Sequence, residues 1–309
     1  MLAAARPARL RFPGEGATDL AVDLARDRAL LGSPFMRDPG RQAPPTDFDA
    51  RERGNWAGQA GDYRQGYALV CAGAVPYLAD SVGIRPGSRV LDVGTGTGTA
   101  AAAAIARGAT VTAVDADPGM VATAAALVPE AEFQVAALPA LPFAGREFDV
   151  VLANFVVNHV GRPRAALAEL RRVTMPGGRV AVTAWPQPPS PAIALLTRAI
   201  RDCGADRPAH RLAPSEEFPR TEAGLRGLLG DAGLLDPTCR LVNWRLMAEP
   251  SEWWGIASGA SWMRAFRASQ ERALLDKVKD RFTELSSDYR GDGGRLCLPV
   301  AALLAHGKA

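Results

Sequence analysis

Lysine, histidine and cysteine are scarce in this chain. Of 309 residues, three are lysine, three are histidine and four are cysteine, although lysine and arginine together number 36. The cysteines do not stand at the spacing of metal ligands, and no two histidines are separated as a helical zinc site requires. We therefore expect reduced, unpaired thiols in a cytoplasmic protein, and no metal site.

Long apolar runs and dense basic runs are also missing. No stretch approaches the roughly 20 apolar residues needed to span a bilayer, and the arginines near the start are not followed by the apolar core of a secretory signal. The formal net charge is only +3, and no basic run is interleaved with aromatic residues. We therefore expect a small-molecule partner and neither a nucleic acid nor a membrane.

What the sequence does contain is an alternation of apolar strand patterns with helix patterns. A helix pattern over 62–82, interrupted at Pro76, comes first. The predicted strands are 88–93, 110–115, 131–136, 148–154, 177–186, 238–247 and 295–307. Near-continuous apolar strands separated by helices indicate a parallel sheet covered on both faces. The predicted fold class is α/β, with a doubly wound, mostly parallel, seven-stranded sheet.

Changes in composition divide the chain into three parts. Residues 1–55, rich in Pro, Gly and Arg, are predicted to be an N-terminal extension or arm, and residues 56–190 the ligand-binding core. Residues 191–309 are predicted to complete the sheet and to carry an inserted helical substrate lid, at about 190–235 and 250–290. The arm is also the candidate contact of a homodimer.

The stretch VLDVGTGTGTA, residues 90–100, places three glycines at alternate positions after the first strand. Such a loop lets the backbone approach a ligand at the carboxyl end of a strand. The spacing departs from the dinucleotide fingerprint G-x-G-x-x-G, because Thr99 stands where the third glycine would fall. Asp92, at the end of the strand, suits a cationic group such as an ammonium or a sulfonium better than a pyrophosphate.

A second acid stands at the end of the next strand. Asp115 follows the first strand by about twenty residues, the position from which a carboxylate accepts hydrogen bonds from both ribose hydroxyls. The order of acid, glycine loop and acid is typical of a site for a nucleoside that carries an amino-acid tail rather than a phosphate.

Several longer stretches resemble a known family. They are VLDVGTGTGTAAAAAIARGATVTAVDADPGMV, LPF, FDVVLANFVVNHV and ELRRVTMPGGRVAVTAW. These stretches are similar to class I S-adenosylmethionine-dependent methyltransferases, in the small-molecule branch related to ubiquinone and menaquinone biosynthesis enzymes. The resemblance covers roughly residues 60–185. It implies a Rossmann-like core and an enzyme that methylates an aromatic, quinone-like or polyketide-like secondary metabolite and releases S-adenosylhomocysteine.

The resemblance also implies which residues bind the cofactor. They are Tyr63, Asp92, Gly94, Thr95, Gly96, Asp115, Ala116, Met120, Ala137, Leu138 and Asn154. The glycine loop would run beneath the methionine, with Asp92 on its amino group and Asn154 nearby. Asp115 would hold the ribose, and Ala116 with Met120 would flank the adenine. Tyr63 would close over the cofactor.

One position departs from the family pattern. The family often has an aspartate on the adenine amino group where this chain has Ala137. The adenine would then meet only backbone groups of Ala137 and Leu138, or water. We expect looser contact with the adenine and not a loss of binding.

His159, directly after the fourth strand, is the candidate catalytic residue. A histidine there could accept a proton from a phenol or other hydroxyl as the methyl group is transferred; the competing interpretation is a structural histidine packed against the sheet edge. The aromatic cluster of Trp253, Trp254, Trp262 and Phe266 is expected to be core, and it could also form a wall for the substrate.

Two other functions stay open on the sequence. A cofactor-binding member of the fold could catalyse cyclisation or rearrangement without methyl transfer, which the alanine at 137 and the unusual arm allow. An NAD-dependent oxidoreductase is less favoured, because the glycine spacing differs from the dinucleotide fingerprint. The sequence does not distinguish O-, C- and N-methylation.

Overall fold

Seven strands form a single sheet in the computed structural model, which describes residues 44–208, 211–291 and 293–309. The strands are β1 (Arg89–Val93), β2 (Thr110–Asp115), β3 (Glu132–Val135), β4 (Phe148–Ala153), β5 (Thr174–Ala184), β6 (Leu235–Ala248) and β7 (Leu296–Lys308). Their order is β3-β2-β1-β4-β5-β7-β6, and only β7 runs antiparallel to its neighbours. The predicted α/β fold class is confirmed. Residues 1–43, most of the predicted arm, lie outside the described residues.

The helices of the described residues cover both faces of the sheet. They are α1 (Asp47–Trp56), α2 (Ala60–Gln65), α3 (Tyr67–Ala72), α4 (Val75–Ser81), α5 (Thr99–Ile105), α6 (Pro118–Leu127), α7 (Pro163–Val173), α8 (Pro191–Asp202), α9 (Glu222–Asp231), α10 (Pro250–Ser258), α11 (Trp262–Ser269) and α12 (Arg272–Ser286). Short 3-10 turns occupy Val157–His159 and Ser287–Tyr289. None of the helices in this described part is long and apolar enough to cross a membrane.

The helix predicted over 62–82, kinked or restarted at Pro76, does restart there, since α4 begins at Val75. The sequence did not predict the further break at Gly66, which separates α2 from α3. Pro76 lies in the first turn of α4, where its missing N–H removes no hydrogen bond. A Cβ on Gly73 would overlap the indole of Trp244, so the close approach of β6 requires glycine at this break.

Buried side chains form cores on both faces of the sheet. Successive residues of β1 and β4 alternate between a cluster that includes α7 and α9 and a cluster that includes α4 and α5. A third cluster joins α8, α10, α11 and α12 to β7; Trp253 and Phe266 are buried in it, which agrees with the core interpretation of the aromatic cluster. All four cysteines are free.

The strand order places the carboxyl ends of β1, β2 and β4 together at one edge of the sheet. The order reverses at this edge, between β1 and β4.

Helix α1 is fixed to the loop that follows β4. Thr46 and Asp49 form a capping box at its start, in which each side chain accepts a backbone N–H of the other residue. The carboxylate of Asp49 also accepts the N–H of Gly161 at 2.7 Å. Because α1 begins inside the range 1–55 predicted as the arm, the last part of that range packs against the core; the domain boundaries themselves stay predictions.

Gly161→Ala is expected to release α1 from this loop. A Cβ at position 161 would overlap Oγ1 of Thr46 and lie 2.9 Å from the carboxylate of Asp49. We expect the free energy of local opening of α1 to fall by about 1–2 kcal/mol, the value of a lost helix cap. Faster amide hydrogen exchange in α1 would report it. Gly54→Ala is the matched control, since a Cβ there meets nothing within 4 Å; equal exchange in the two variants would contradict the prediction.

Candidate active site

The loop between β1 and α5 is bent by glycine. Gly94, Gly96 and Gly98 have φ angles of +65°, +56° and +89°, a region that residues with a side chain rarely adopt. A Cβ on Gly94 would overlap a methyl group of Val156, and a Cβ on Gly96 would lie 3.0 Å from the ring of Tyr63. The loop backbone is therefore open to close approach, and Tyr63 lies directly against it.

Gly94→Ala is expected to weaken the binding of S-adenosylhomocysteine, used as a probe of this loop, by about tenfold or more. A positive φ costs a residue with a side chain roughly 1–2 kcal/mol, and the overlap with Val156 adds to this. Isothermal titration calorimetry would measure the change. Gly227→Ala, on α9, is the control because its Cβ meets nothing within 4 Å. The prediction is wrong if both variants keep the affinity of the parent.

Asp92 is a fully buried carboxylate at the end of β1. Its Oδ2 accepts the hydroxyl of Thr95 at 2.7 Å, and its Oδ1 makes no hydrogen bond of good geometry with the described residues. Burial raises the pKa of Asp92 to about 6; the hydrogen bond from Thr95 and the N–H of Ala101 oppose that rise. A buried carboxylate oxygen without a partner is costly, and an ammonium group would satisfy it.

The small cavity beside Asp92 brings five of the predicted cofactor residues together. Its lining includes Tyr63, Asp92, Gly94, Thr95 and Asn154. Its volume is about 10 Å³. The loop, the strand end and α2 therefore enclose the place that the sequence assigns to the methionine part of the ligand.

Asp115 ends β2 and faces the same loop. Its Oδ2 accepts the N–H of Gly96 at 2.9 Å, and its Oδ1 accepts the N–H of Asp117 at 3.0 Å. Burial raises the pKa of Asp115, although these backbone hydrogen bonds oppose the rise. Each carboxylate oxygen has a second lone pair, so the oriented carboxylate can still accept two vicinal hydroxyls.

The residues predicted at the adenine lie farther along this edge, and none of them lines the small cavity. Ala116 is exposed, and Met120 is buried in the first turn of α6, which Asp117 caps. Leu138 is buried in the core cluster of the α7 face, and the carbonyl of Ala137 accepts the N–H of Ala140. The side chain of Leu138 is thus used in packing, as the expectation of backbone contact to adenine requires.

Asn154 ties the end of β4 to its neighbours. Its Oδ1 accepts the hydroxyl of Thr183 at 2.7 Å, and its Nδ2 donates to the carbonyl of Cys71 at 3.3 Å. The same hydroxyl accepts the N–H of Phe155, whose φ is +60° and whose ring stacks on Trp185 with centroids 3.9 Å apart. The chain therefore turns sharply away from the sheet immediately before the 3-10 turn.

His159 lies in this turn and contacts a carboxylate that the sequence analysis missed. Its Nδ1 forms a short hydrogen bond with Oε2 of Glu52 on α1, and Glu52 is only 6% exposed. Trp56 and the imidazole of His159 meet edge to face, with their ring centroids 5.4 Å apart. A carboxylate on Nδ1 favours the tautomer whose Nε2 lone pair is free. One sequence signal could have found Glu52: the capping pattern of Thr46 and Asp49, which marks the start of α1. That pattern lies inside the range predicted as the arm.

Comparison with known proteins bears on the identity of this site. Residues 91–182 match a family described as a methyltransferase domain. The uncharacterized protein Rv1403c of Mycobacterium tuberculosis is 36% identical over 195 residues, 62% of this chain and 68% of that protein. The demethylmenaquinone methyltransferase of Renibacterium salmoninarum is 40% identical over 111 residues, 36% of this chain and 47% of that protein. The chain belongs to the class I S-adenosylmethionine-dependent methyltransferases.

A solved structure agrees with this assignment at the level of the fold. The phosphoethanolamine N-methyltransferase 2 of Haemonchus contortus has a TM-score of 0.50 and 16% identity, over 85% of this methyltransferase and 60% of that chain. The match to the Renibacterium protein spans about half of its length. Neither comparison therefore shows that this chain acts on the acceptor of either enzyme.

S-adenosylmethionine is the cofactor of this family, and the cofactor predicted from the sequence is thereby confirmed. The residues of the site fit it. The unpartnered oxygen of Asp92 suits the ammonium group, the glycine loop allows a close approach, and Asp115 can accept the ribose hydroxyls. The contacts of the individual residues stay predictions.

Proposed function

We propose that this methyltransferase methylates a hydroxyl group of a small aromatic, quinone-like or polyketide-like acceptor, with His159 as general base. The observation that carries the proposal is the pairing of His159 with the buried Glu52 at the end of β4. The setting that we propose with it is secondary metabolism in the cytoplasm, with the arm as the candidate dimer contact.

The chemistry follows from the two side chains. S-adenosylmethionine, when bound, supplies an electrophilic methyl group. Nε2 of His159 makes no hydrogen bond with the described residues and can take the proton of the acceptor hydroxyl. The carboxylate of Glu52 holds the ring through Nδ1 and stabilises the imidazolium that forms. Glu52 is therefore a positioning residue, and His159 the residue that handles the proton.

Aromatic side chains surround this pair. The rings of Trp56 and Tyr63 meet edge to face at 5.3 Å, and Trp56 also contacts His159. Tyr67 and Trp262 are partly buried in the neighbouring cluster. Aromatic rings beside the proton acceptor suit a flat acceptor molecule. The name of the Renibacterium relative, a demethylmenaquinone methyltransferase, is in keeping with a quinone-like acceptor.

The test combines binding with transfer. Calorimetry would first measure the affinity for S-adenosylhomocysteine; a protein without measurable affinity contradicts the proposal. The protein would then be incubated with methyl-labelled S-adenosylmethionine and a panel of hydroxylated aromatics, quinols and aromatic polyketides, and label in the extracted product would support it. Affinity for S-adenosylhomocysteine with ring closure but no labelled product would favour cyclisation instead. Quenching of NADH fluorescence would favour the oxidoreductase.

A further inference from the structure

We propose that the acceptor carries a carboxylate in addition to the hydroxyl that is methylated, and that Arg207 and Arg220 bind this carboxylate beside His159. This inference rests on the proposed function and narrows its substrate class. It starts from two arginines on different segments of the chain, Arg207 after α8 and Arg220 before α9. Arg220 contacts the residue next to His159, and Arg207 attracts Glu52, the partner of His159.

Arg220 contacts the residue next to His159. Its Nη1 donates to Oδ1 of Asn158 at 2.6 Å, and its guanidinium lies 5.3 Å from the ring centroid of Phe218. Nδ2 of Asn158 is buried and has no hydrogen-bond partner. The oxygen of Asn158 thus accepts from Arg220, while the buried Nδ2 of the same side chain has no acceptor. An anionic oxygen is the group that this arrangement lacks.

Arg220 is also within reach of a small molecule. It lines a cavity of about 650 Å³ together with Glu222, Asn243 and Arg245, and neither His159 nor Arg207 lines this cavity. A volume of this size is typical of small-molecule sites. Arg220 thus contacts both this cavity and, through Asn158, the turn that carries His159.

Arg207 approaches from the side of α1 and α3. Its guanidinium carbon lies 4.6 Å from the ring centroid of Trp262 on α11. Desolvation lowers its pKa, while attraction to Tyr67 and Glu52 opposes this change. Since Glu52 is the partner of His159, the positive charge of Arg207 acts on the same pair.

Within the described residues, neither Arg207 nor Arg220 forms a salt bridge with a carboxylate within 4 Å. Desolvation lowers the pKa of Arg220, and repulsion from Arg207 lowers it further against the attraction of Glu217.

Arg220 is half-buried and Arg207 is exposed, and a pair of arginines of like charge is stabilised when an anion binds between them. The planar fork of arginine matches a carboxylate in two parallel hydrogen bonds. A phosphate would also pair with arginine, but the aromatic rings here, Trp56 against His159 and Trp262 against Arg207, suit a flat acid. A hydroxylated aromatic acid places its carboxylate and its hydroxyl on one rigid frame, and so meets both the arginines and His159.

The experiment uses matched acids and amides. The 2-, 3- and 4-hydroxybenzoates and the corresponding hydroxybenzamides would be titrated into the full chain saturated with S-adenosylhomocysteine. We expect at least one acid to bind about tenfold or more tightly than its amide. Arg207→Gln and Arg220→Gln should each remove most of this preference, whereas Arg220→Lys should keep part of it. The exposed Arg226→Gln, on α9, is the control and should keep all of it.

Two results would overturn the inference: no acid binds more tightly than its amide, or the preference survives both glutamine variants. Affinity for S-adenosylhomocysteine, measured in every variant, separates the possible failures. If that affinity is intact and the acids show no preference, only this inference is wrong. If the parent protein does not bind S-adenosylhomocysteine at all, the proposed function fails with it.

Discussion

Asp92→Asn is expected to make the cofactor-free methyltransferase more stable at pH 7, by up to about 3 kcal/mol, while weakening the binding of S-adenosylhomocysteine about a hundredfold. Burial raises the pKa of Asp92 from 3.8 to about 6, and each pKa unit corresponds to about 1.4 kcal/mol. The ionised form is thus disfavoured by folding and is kept for the ammonium group that it would bind. A buried hydrogen bond to a charged group is worth about 1.5–3 kcal/mol, which sets the loss in affinity.

The difference in stability between Asp92→Asn and the parent should depend on pH. Between about pH 4 and pH 6 the folded state holds the proton of Asp92 more tightly than the unfolded state, so the parent loses stability relative to the variant as the pH rises. The advantage of the variant should grow through this window and stay constant above it. Urea unfolding between pH 5 and pH 8 would measure it.

Asp149→Asn is a control for which we expect the opposite change in stability at pH 7. The N–H of Arg89 donates to Asp149 at 2.8 Å and holds the pKa of that carboxyl below its usual value. Its ionised form therefore stabilises the fold, and this contribution is lost as the pH falls through the lowered pKa. The variant should be slightly less stable than the parent at pH 7 and approach it in acid. An Asp92→Asn protein that is less stable than the parent at pH 7 would refute the account of Asp92.

His159→Gln is expected to lower kcat by about 10²- to 10⁴-fold, the usual contribution of a positioned general base. The affinity for S-adenosylhomocysteine should not change, because no side chain of the glycine loop contacts His159 in the described residues. Glu52→Gln should lower kcat by a smaller factor, since it removes the charge that stabilises the imidazolium and leaves the base in place. Initial rates with the labelled acceptor would measure both.

The control for these variants is His306→Gln. His306 lies on β7, and its Nε2 pairs with the hydroxyl of Thr238, away from the proposed acceptor site. Its loss should leave kcat unchanged. If His159→Gln keeps the full kcat while its stability falls, His159 is a structural residue that anchors α1, and the acceptor does not need a base from the protein.

The cofactor side of the site could be predicted because its parts are close in sequence. Asp92, the glycine loop and Asp115 belong to one strand, loop, helix and strand unit, and local rules of backbone and strand order place them. The sheet itself followed from apolar strand patterns of the same local kind. Even the long strand β6 was predicted over 238–247, three residues short at its start and one at its end.

The acceptor side could not be predicted because it depends on docking between distant segments. Glu52 and His159 are separated by 107 positions, and Arg220 contacts Asn158 from 62 positions further along the chain. The break at Gly73 has the same origin, since the indole that requires it belongs to Trp244 of β6. None of these pairings leaves a periodic signal in the sequence around either partner.

The cavity between Tyr63, the glycine loop and Asn154 is about 10 Å³, which is room for one water molecule. The methionine part of the cofactor is larger than a water molecule, so we expect the side chain of Tyr63, which lies against Gly96, to move away from the loop when the cofactor binds.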